Sequence, residues 1–370
     1  MIRPILVRRD RVVPATQAVA FVVGIAAALA LGLILLWTSG HNPAEVYERM
    51  FDSAFVGTDS LARTLERATP LALTGLAVAV AGSMGLWNIG AEGQMMAGAT
   101  VATGVAMTAD GLPGPLLIAV MVVAGVAGGM VLMLGPALAR SHLGVSEIIT
   151  TLMLVYVAIR VVEWLETGPW KDPASHGFAV IEPVPEQASL PGLFGRANVG
   201  TLIALGLLIV FSLAVSRTAW GYELRLSGSS PNTARYAGIS LSRKVLTALL
   251  LSGGIAGLAG AVQLTGSATR LESGLSNGYG FAGIIVAALA LMRPSGVAVA
   301  AVVFGGVQVG GQSIQTLGVS SAISDILQAM ILFGALVAAV FFNYRVRWTG
   351  PAGESLVDEP EEADMAAEGA

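Results

Sequence analysis

An all-α, polytopic membrane fold is what this sequence predicts, on three observations. The first is composition: 55% of the 370 residues are hydrophobic and 12% are charged, where soluble domains carry about 25% charged residues, and the mean hydropathy is +0.75. A water-soluble fold of that make-up would leave too much apolar surface in water. The second is length: apolar runs recur along the whole chain, and about 20 residues rising about 1.5 Å each cross a hydrocarbon core of about 30 Å. The third is pattern. The runs do not alternate and are rich in Ala, Leu and Val, which suits helices that close their own backbone hydrogen bonds and not barrel strands.

Taken in order, the apolar runs predict spans at 18–37, 70–86, 94–109, 115–138, 147–165, 199–215, 245–265, 281–292, 297–312 and 323–342, about ten in all. The chain then divides into an N-terminal segment over 1–17, a membrane domain over 18–342 and a tail over 343–370. With the N-terminus in the cytoplasm, the cytoplasmic segments hold Arg3, Arg8, Arg9, Arg11, Arg140, Arg217, Arg225, Arg235, Arg243, Lys244, Arg293, Arg345 and Arg347. The external ones hold Arg49, Arg63, Arg67, Lys171, Arg196 and Arg270. That excess follows the positive-inside bias and places both termini in the cytoplasm of an inner-membrane protein. The basic start before residue 18 is read as the flank of a retained first helix, because the apolar run after it is too long for a signal peptide.

Two stretches break the regular pattern. Residues 281–292 are short and run into Arg293-Pro294-Ser295-Gly296, so half-helices or a re-entrant hairpin are expected there, and Trp87 to Gln94 reads as an interrupted helix. Among the 46 glycines several stand four apart within spans, as Gly125 and Gly129, Gly253 and Gly257, and Gly306 and Gly310. That spacing lets helix backbones approach closely in lipid, a packing role and not a site. The seven acids from Glu354 to Glu368 make the tail acidic and poor in large apolar residues, so it is expected to be disordered.

Several chemistries are excluded. Cysteine is absent, and His41, His142 and His176 lie far apart, so no metal site and no disulfide are expected. A nucleotide-binding P-loop needs Gly-Lys-Ser or Gly-Lys-Thr, whereas the two lysines, Lys171 and Lys244, follow Trp170 and Arg243. The glycine pattern Gly278-Tyr-Gly280-Phe-Ala-Gly283 opens a membrane span instead of following a strand, which discards a dinucleotide site. No cofactor and no enzyme active site are expected.

The most informative polar stretch is the cytoplasmic loop over 216–244. Ser230 stands where an N-cap belongs, Pro231 where a first helical residue belongs, and Gly238 where a left-handed residue ends a helix. A short, well-punctuated helix carrying Arg235 and Tyr236 between two spans reads as a docking lever, with a passive connector as its rival. A second loop, over 166–198, is external.

Here the sequence resembles a known family. Trp220-Gly-Tyr-Glu-Leu-Arg225 followed by Pro231-Asn-Thr-Ala-Arg-Tyr-Ala-Gly-Ile239 is similar to the coupling loop of permeases in the branched-chain amino acid and ribose importer superfamily. Asn88-Ile-Gly-Ala-Glu-Gly-Gln94, Gly144 to Leu154 and Gly280 to Ala287 resemble its narrower basic-membrane-protein branch, whose members import nucleosides. The resemblance runs from about Leu61 to Tyr344. It departs at Leu226 to Ser230 and at Val155, where asparagine is common. It implies a type II importer fold, a separate ATP-binding cassette ATPase docked on Ser230, Pro231, Arg235, Tyr236 and Gly238, a second permease of similar fold and an extracytoplasmic binding lipoprotein.

Polar residues inside spans are the remaining candidates, since each costs free energy in lipid unless it faces protein or water. Asn88 and Glu92 share a face if their segment is helical, either as part of a solute path or as a hydrogen-bonded clamp on a broken helix. Gln94, Gln263, Gln308, Gln312 and Gln328 suit a polar route for hydroxyls and base edges, or act as glue between helices. Glu147 after Ser146 and Asp325 after Ser324 read as helix-start residues. Trp37, Trp164 and Trp348 read as interfacial anchors. Alternatives to a nucleoside permease are a pentose or branched-chain amino acid permease, or an ion-coupled secondary transporter using Glu92.

Overall fold

In an apolar medium the i→i−4 ladder satisfies every N–H and C=O within one segment, and the chain folds that way. The computed structural model describes residues 3–8, 14–109 and 111–349. A strand β1 (Arg3–Arg8) leads to α1 (Pro14–Thr38), α2 (Pro43–Phe55), α3 (Thr58–Gly82), α4 (Ala91–Thr108), α5 (Gly114–Leu138) and α6 (Glu147–Thr167). A long loop with a small ribbon, β2 (Gly192–Phe194) and β3 (Ala197–Asn198), leads to α7 (Val199–Arg217), α8 (Ala219–Ser229), α9 (Pro231–Tyr236) and α10 (Leu241–Gly266). Then come α11 (Tyr279–Leu289), α12 (Pro294–Ser313), α13 (Ser321–Asn343) and β4 (Tyr344–Thr349). Five segments of the described residues are long and apolar enough to cross a membrane: Gly114–Leu143, Glu147–Thr167, Val199–Arg217, Leu241–Gly266 and Pro294–Leu317.

The centre is made by α3 and α10, which are buried on every side from Ala68 to Ala81 and from Ser252 to Ala261. A helix apolar all round belongs inside. Around them α5, α6 and α7 turn Val123, Val131, Ile149, Trp164, Leu202 and Val210 outward, an apolar belt fit for lipid. The helices meet along a glycine seam. A β-carbon on Gly257 would collide with the carbonyl oxygen of Gly125, one on Gly98 with that of Gly257, and one on Gly260 with that of Met95. Gly306 and Gly310 instead seat α12 on Phe55 and Met50 of α2.

Antiparallel pairing of β1 with β4, Arg3 opposite Thr349 and Arg8 opposite Tyr344, brings the start of α1 and the end of α13 to one end of the molecule. This corrects the expectation of a tail disordered from residue 343: Asn343 closes α13 and 344–349 form the strand, while 350–370 lie outside the described residues.

Other boundaries move for physical reasons. Helix α3 begins at Thr58 and not at 70, because Asp59, Arg63, Glu66 and Arg67 mask a helical segment from a hydropathy reading. Helix α2 has no counterpart among the expected spans. It is amphipathic, with Val46, Met50 and Ala54 buried at four-residue spacing beneath Glu45, Glu48, Arg49 and Asp52. Ser324 lies inside α13, where its hydroxyl donates to the Ser320 carbonyl at 3.2 Å, so Asp325 does not sit at a helix start. At 281–292 the helix is the 11-residue α11, about 16 Å long and half of a crossing.

Candidate functional site

Two interruptions meet inside the bundle. Helix α3 stops at Gly82, the chain reverses through Gly85 (φ +74°), and α4 restarts at Ala91. Asn88 is fully buried in that reversal. Its Nδ2 donates to Gln94 Oε1 at 2.7 Å and to Ser252 Oγ at 2.8 Å, and its Oδ1 accepts from Gly90 N at 3.0 Å and Gln94 Nε2 at 3.1 Å. Ser252 in turn donates to the Ala77 carbonyl at 2.6 Å. Asn88 thus precedes α4 instead of sharing a helical face with Glu92, because its side chain makes the turn that starts the helix.

Glu92, in the first turn of α4, is buried and reaches the second interruption. Its Oε1 accepts from Gly278 N at 3.0 Å and its Oε2 from Gly280 N at 2.6 Å. Those amides open α11, whose own N-cap, Gly278 at φ +74°, supplies no side chain. Glu92 therefore caps α11 from another helix, placing negative charge where the helix dipole is positive. Gly280 has to be glycine for this, since a β-carbon there would strike the Glu92 backbone, and one on Gly283 would strike Thr74. Thr74 Oγ1 donates to the Tyr279 carbonyl at 2.9 Å, which fixes the same turn to α3.

Nearer α8, Glu147 is buried, accepts from Trp87 N at 3.2 Å and pairs with Arg140 Nε at 3.1 Å. Ser146 makes no capping bond, so Glu147 holds the α3–α4 reversal in place rather than only compensating its own helix dipole. The glutamines are dispersed. Gln263 and Gln308 are half-buried with no side-chain partner among the described residues, and Gln328 donates to the Ser324 carbonyl at 3.2 Å. Gln312 is exposed and accepts from Arg67 Nη2 at 3.4 Å. The structure brings Asn88, Glu92 and Gln94 together and leaves Gln263, Gln308 and Gln328 apart from them.

The loop over 216–244 holds two helices. Thr218 caps α8, accepting from Gly221 N at 3.2 Å. Leu224 packs on Ala81, Met84 and Leu86, and Gly228 lies against the Met84 backbone, so α8 is seated beneath the end of α3. Glu223 pairs with Lys244 and ties α8 to α10. Pro231 opens α9, and Gly238 follows it at φ +77°. Ser230 occupies the N-cap position without capping; its hydroxyl pairs with Thr233 Oγ1 at 2.7 Å. Of α9 only Ala234 is buried, and Tyr236 is 93% exposed. Arg235 Nη1 donates to Asn232 Oδ1 at 2.9 Å.

The family described as branched-chain amino acid transport system, permease component, matches residues 60–336, which contain the α3–α4 reversal, α8, α9 and α11. The chain belongs to this family. Relatives with similarity along most of their length include the glucose ABC transporter permease protein of Haloferax volcanii, 34% identical over 91% of this chain and 92% of its own. The guanosine ABC transporter permease protein of Bacillus subtilis is 31% identical over 85% and 92%, and the nucleoside ABC transporter permease protein of Lactococcus lactis 30% over 82% and 86%. The chain is a multi-pass permease subunit of an ATP-binding cassette importer, a transport component and not an enzyme. Such a permease works with an ATPase and a substrate-binding partner.

For a permease the arrangement has a mechanical consequence. α8 touches the end of α3, the reversal after α3 leads to Glu92, and Glu92 holds the first turn of α11. The sequence reading missed Arg67 and Tyr279, having placed Arg67 in an external loop. In the permease Arg67 lies inside α3, half-buried, and its Nη1 donates to Tyr279 Oη at 2.8 Å. The signal available was Arg63 and Arg67 at helical spacing with Thr64 and Ala68.

Proposed function

We propose that this permease imports nucleosides across the inner membrane, driven by a separate ATPase that docks on α8 and α9. The observation that carries the solute class is the similarity along most of the chain to permeases named for guanosine and for nucleosides. A second reading, a hexose, is favoured by the relative named for glucose. In either case the solute is an uncharged, hydroxyl-rich ring.

The proposed topology has ten crossings: α1, α3 to α7, α10, α11 with the loop that leads into it, α12 and α13. The β1–β4 pairing supports an even number, since it holds both chain ends at one end of the molecule. The basic excess assigns that end to the cytoplasm. On this reading 1–17 is cytoplasmic, 18–342 the permease domain, 166–198 external and 343–370 cytoplasmic. The solute path is bordered by Asn88, Glu92, Gln94, Gln263, Gln308 and Gln328. Coupling runs through Ser230, Pro231, Arg235, Tyr236 and Gly238, supported by the exposure of α9. A second permease of similar fold and an extracytoplasmic binding lipoprotein complete the importer.

Uptake of labelled guanosine and glucose into cells expressing the whole importer, with and without its ATPase, tests this. ATPase-dependent guanosine uptake is expected. ATPase-dependent glucose uptake alone selects the second reading, and uptake that persists without the ATPase sinks both.

A further inference from the structure

We propose that Arg67, with Tyr279 and Gln312, forms a hydroxyl-recognition site of the permease, touched by the solute during its passage; the proposal rests on the solute class inferred above. The three side chains come from α3, α11 and α12 and meet where α11 begins.

Arg67 makes no ion pair among the described residues. The ion pairs among the described residues are Arg140 with Glu147, Arg160 with Glu163, Arg196 with Glu66, and Lys244 with Glu223. Arg67 has instead a phenol oxygen at 2.8 Å and, at a long 3.4 Å, a carboxamide oxygen. A guanidinium has five N–H donors, so these two contacts leave donors to spare, and an ionisable side chain within a membrane bundle is by default a candidate functional group. Its partner is rigid. Tyr279 is 1% exposed, its amide donates to the Ser276 carbonyl at 2.7 Å, its own carbonyl accepts from Thr74, and the turn it opens is capped by Glu92. Gln312 is exposed, and Gln308 stands one turn earlier on the same helix face.

The chemistry of this cluster selects the ligand. Arg67 offers donors only, whereas the Tyr279 hydroxyl and the Gln312 amide offer both donors and acceptors. A hydroxyl group, which donates and accepts at once, matches that mixture. An anion matches it less well, since it would use the donors alone and leave the acceptor oxygens of Tyr279 and Gln312 idle.

The test uses the assembled importer in proteoliposomes with the binding protein saturated by each solute in turn, so that its affinity drops out. The readout is the ratio of guanosine to 2′,3′-dideoxyguanosine uptake, or of glucose to 2-deoxyglucose if glucose is the transported solute. Abundance and co-purification with the ATPase report folding. Arg67→Gln is expected to lower the ratio about tenfold, the scale of one charge-assisted hydrogen bond. Tyr279→Phe, which keeps the ring, is expected to lower it less. An equal loss of both uptakes at an unchanged ratio would make Arg67 a structural tether and overturn the proposal, leaving the function standing. Wild-type transport of neither pair would overturn the inferred solute class, and this site with it.

Discussion

Glycine does opposite work in two regions of this permease. Along the seam of α4, α5 and α10 the glycines are ordinary helical residues, and what matters is the missing side chain: Gly98, Gly125, Gly129, Gly257 and Gly260 let backbone touch backbone. At the end of α9, Gly238 has open space where a β-carbon would go, and what matters is its φ of +77°. The seam needs room and the loop needs a conformation. Space in a packed bundle is shared by several helices, whereas a left-handed residue constrains one turn, so damage at the seam should be global and damage at the loop local.

The largest effect is expected at the seam. Gly257→Val puts three carbons where Gly125 and Gly129 of α5 lie, and α5 cannot retreat without opening its contact with α4. Overpacking costs about 1 to 3 kcal/mol when side chains can give way, and here the obstacle is backbone. The variant should be scarce in the membrane and lose its thermal transition in detergent. A wild-type melting profile for Gly257→Val would break the comparison at its strong end.

Between the two regions stands Glu92, which uses charge and not shape. Glu92→Ala leaves the amides of Gly278 and Gly280 without their acceptor, at about 1 to 3 kcal/mol for each buried group left unpaired. Glu92→Gln keeps one carbonyl oxygen and should lose roughly half as much. Thermal unfolding of the purified permease should rank wild type above Gln above Ala, with uptake falling in the same order. Wild-type stability of both the Ala and the Gln variant would show that the α11 cap contributes nothing.

How much of this was readable beforehand depends on what kind of force sets each element. The spans expected at 115–138, 147–165 and 199–215 match α5, α6 and α7 within two residues, because apolarity alone decides them. α2 and the first half of α3 were missed because their apolar residues form a stripe between charges, a helical period that a hydropathy average erases. α8 was missed although Thr218 is an ordinary N-cap. At the site, Asn88, Glu92 and Gln94 stood out as polar residues in an apolar run. Their partners did not, since Glu92 meets Gly280 across 188 positions and Asn88 meets Ser252 across 164. No local pattern encodes such a pairing.

The smallest effect on the fold, and the most selective one, is expected at Gly238. Valine there would be forced toward positive φ, a strain of about 1 to 3 kcal/mol, but it would strike nothing within 4 Å. The bundle has no reason to loosen, because α9 buries only Ala234 and the seam lies elsewhere. What should change is the end of α9, where Gly238 N donates to the Arg235 carbonyl and Ile239 N to that of Ala234, both bonds of the turn that sets the direction of Tyr236. On the docking role proposed for it, a frayed α9 cannot hold its partner in one geometry. Gly238→Val should therefore reach wild-type abundance and a near wild-type melting temperature while uptake and solute-stimulated ATP hydrolysis fall together. Gly238→Asn, which tolerates left-handed backbone better, should recover most of both. If instead the valine variant melts as early as Gly257→Val, the loop is part of the packing after all and the division between space and conformation fails. Should it transport as well as wild type, α9 is a connector and the ATPase docks elsewhere.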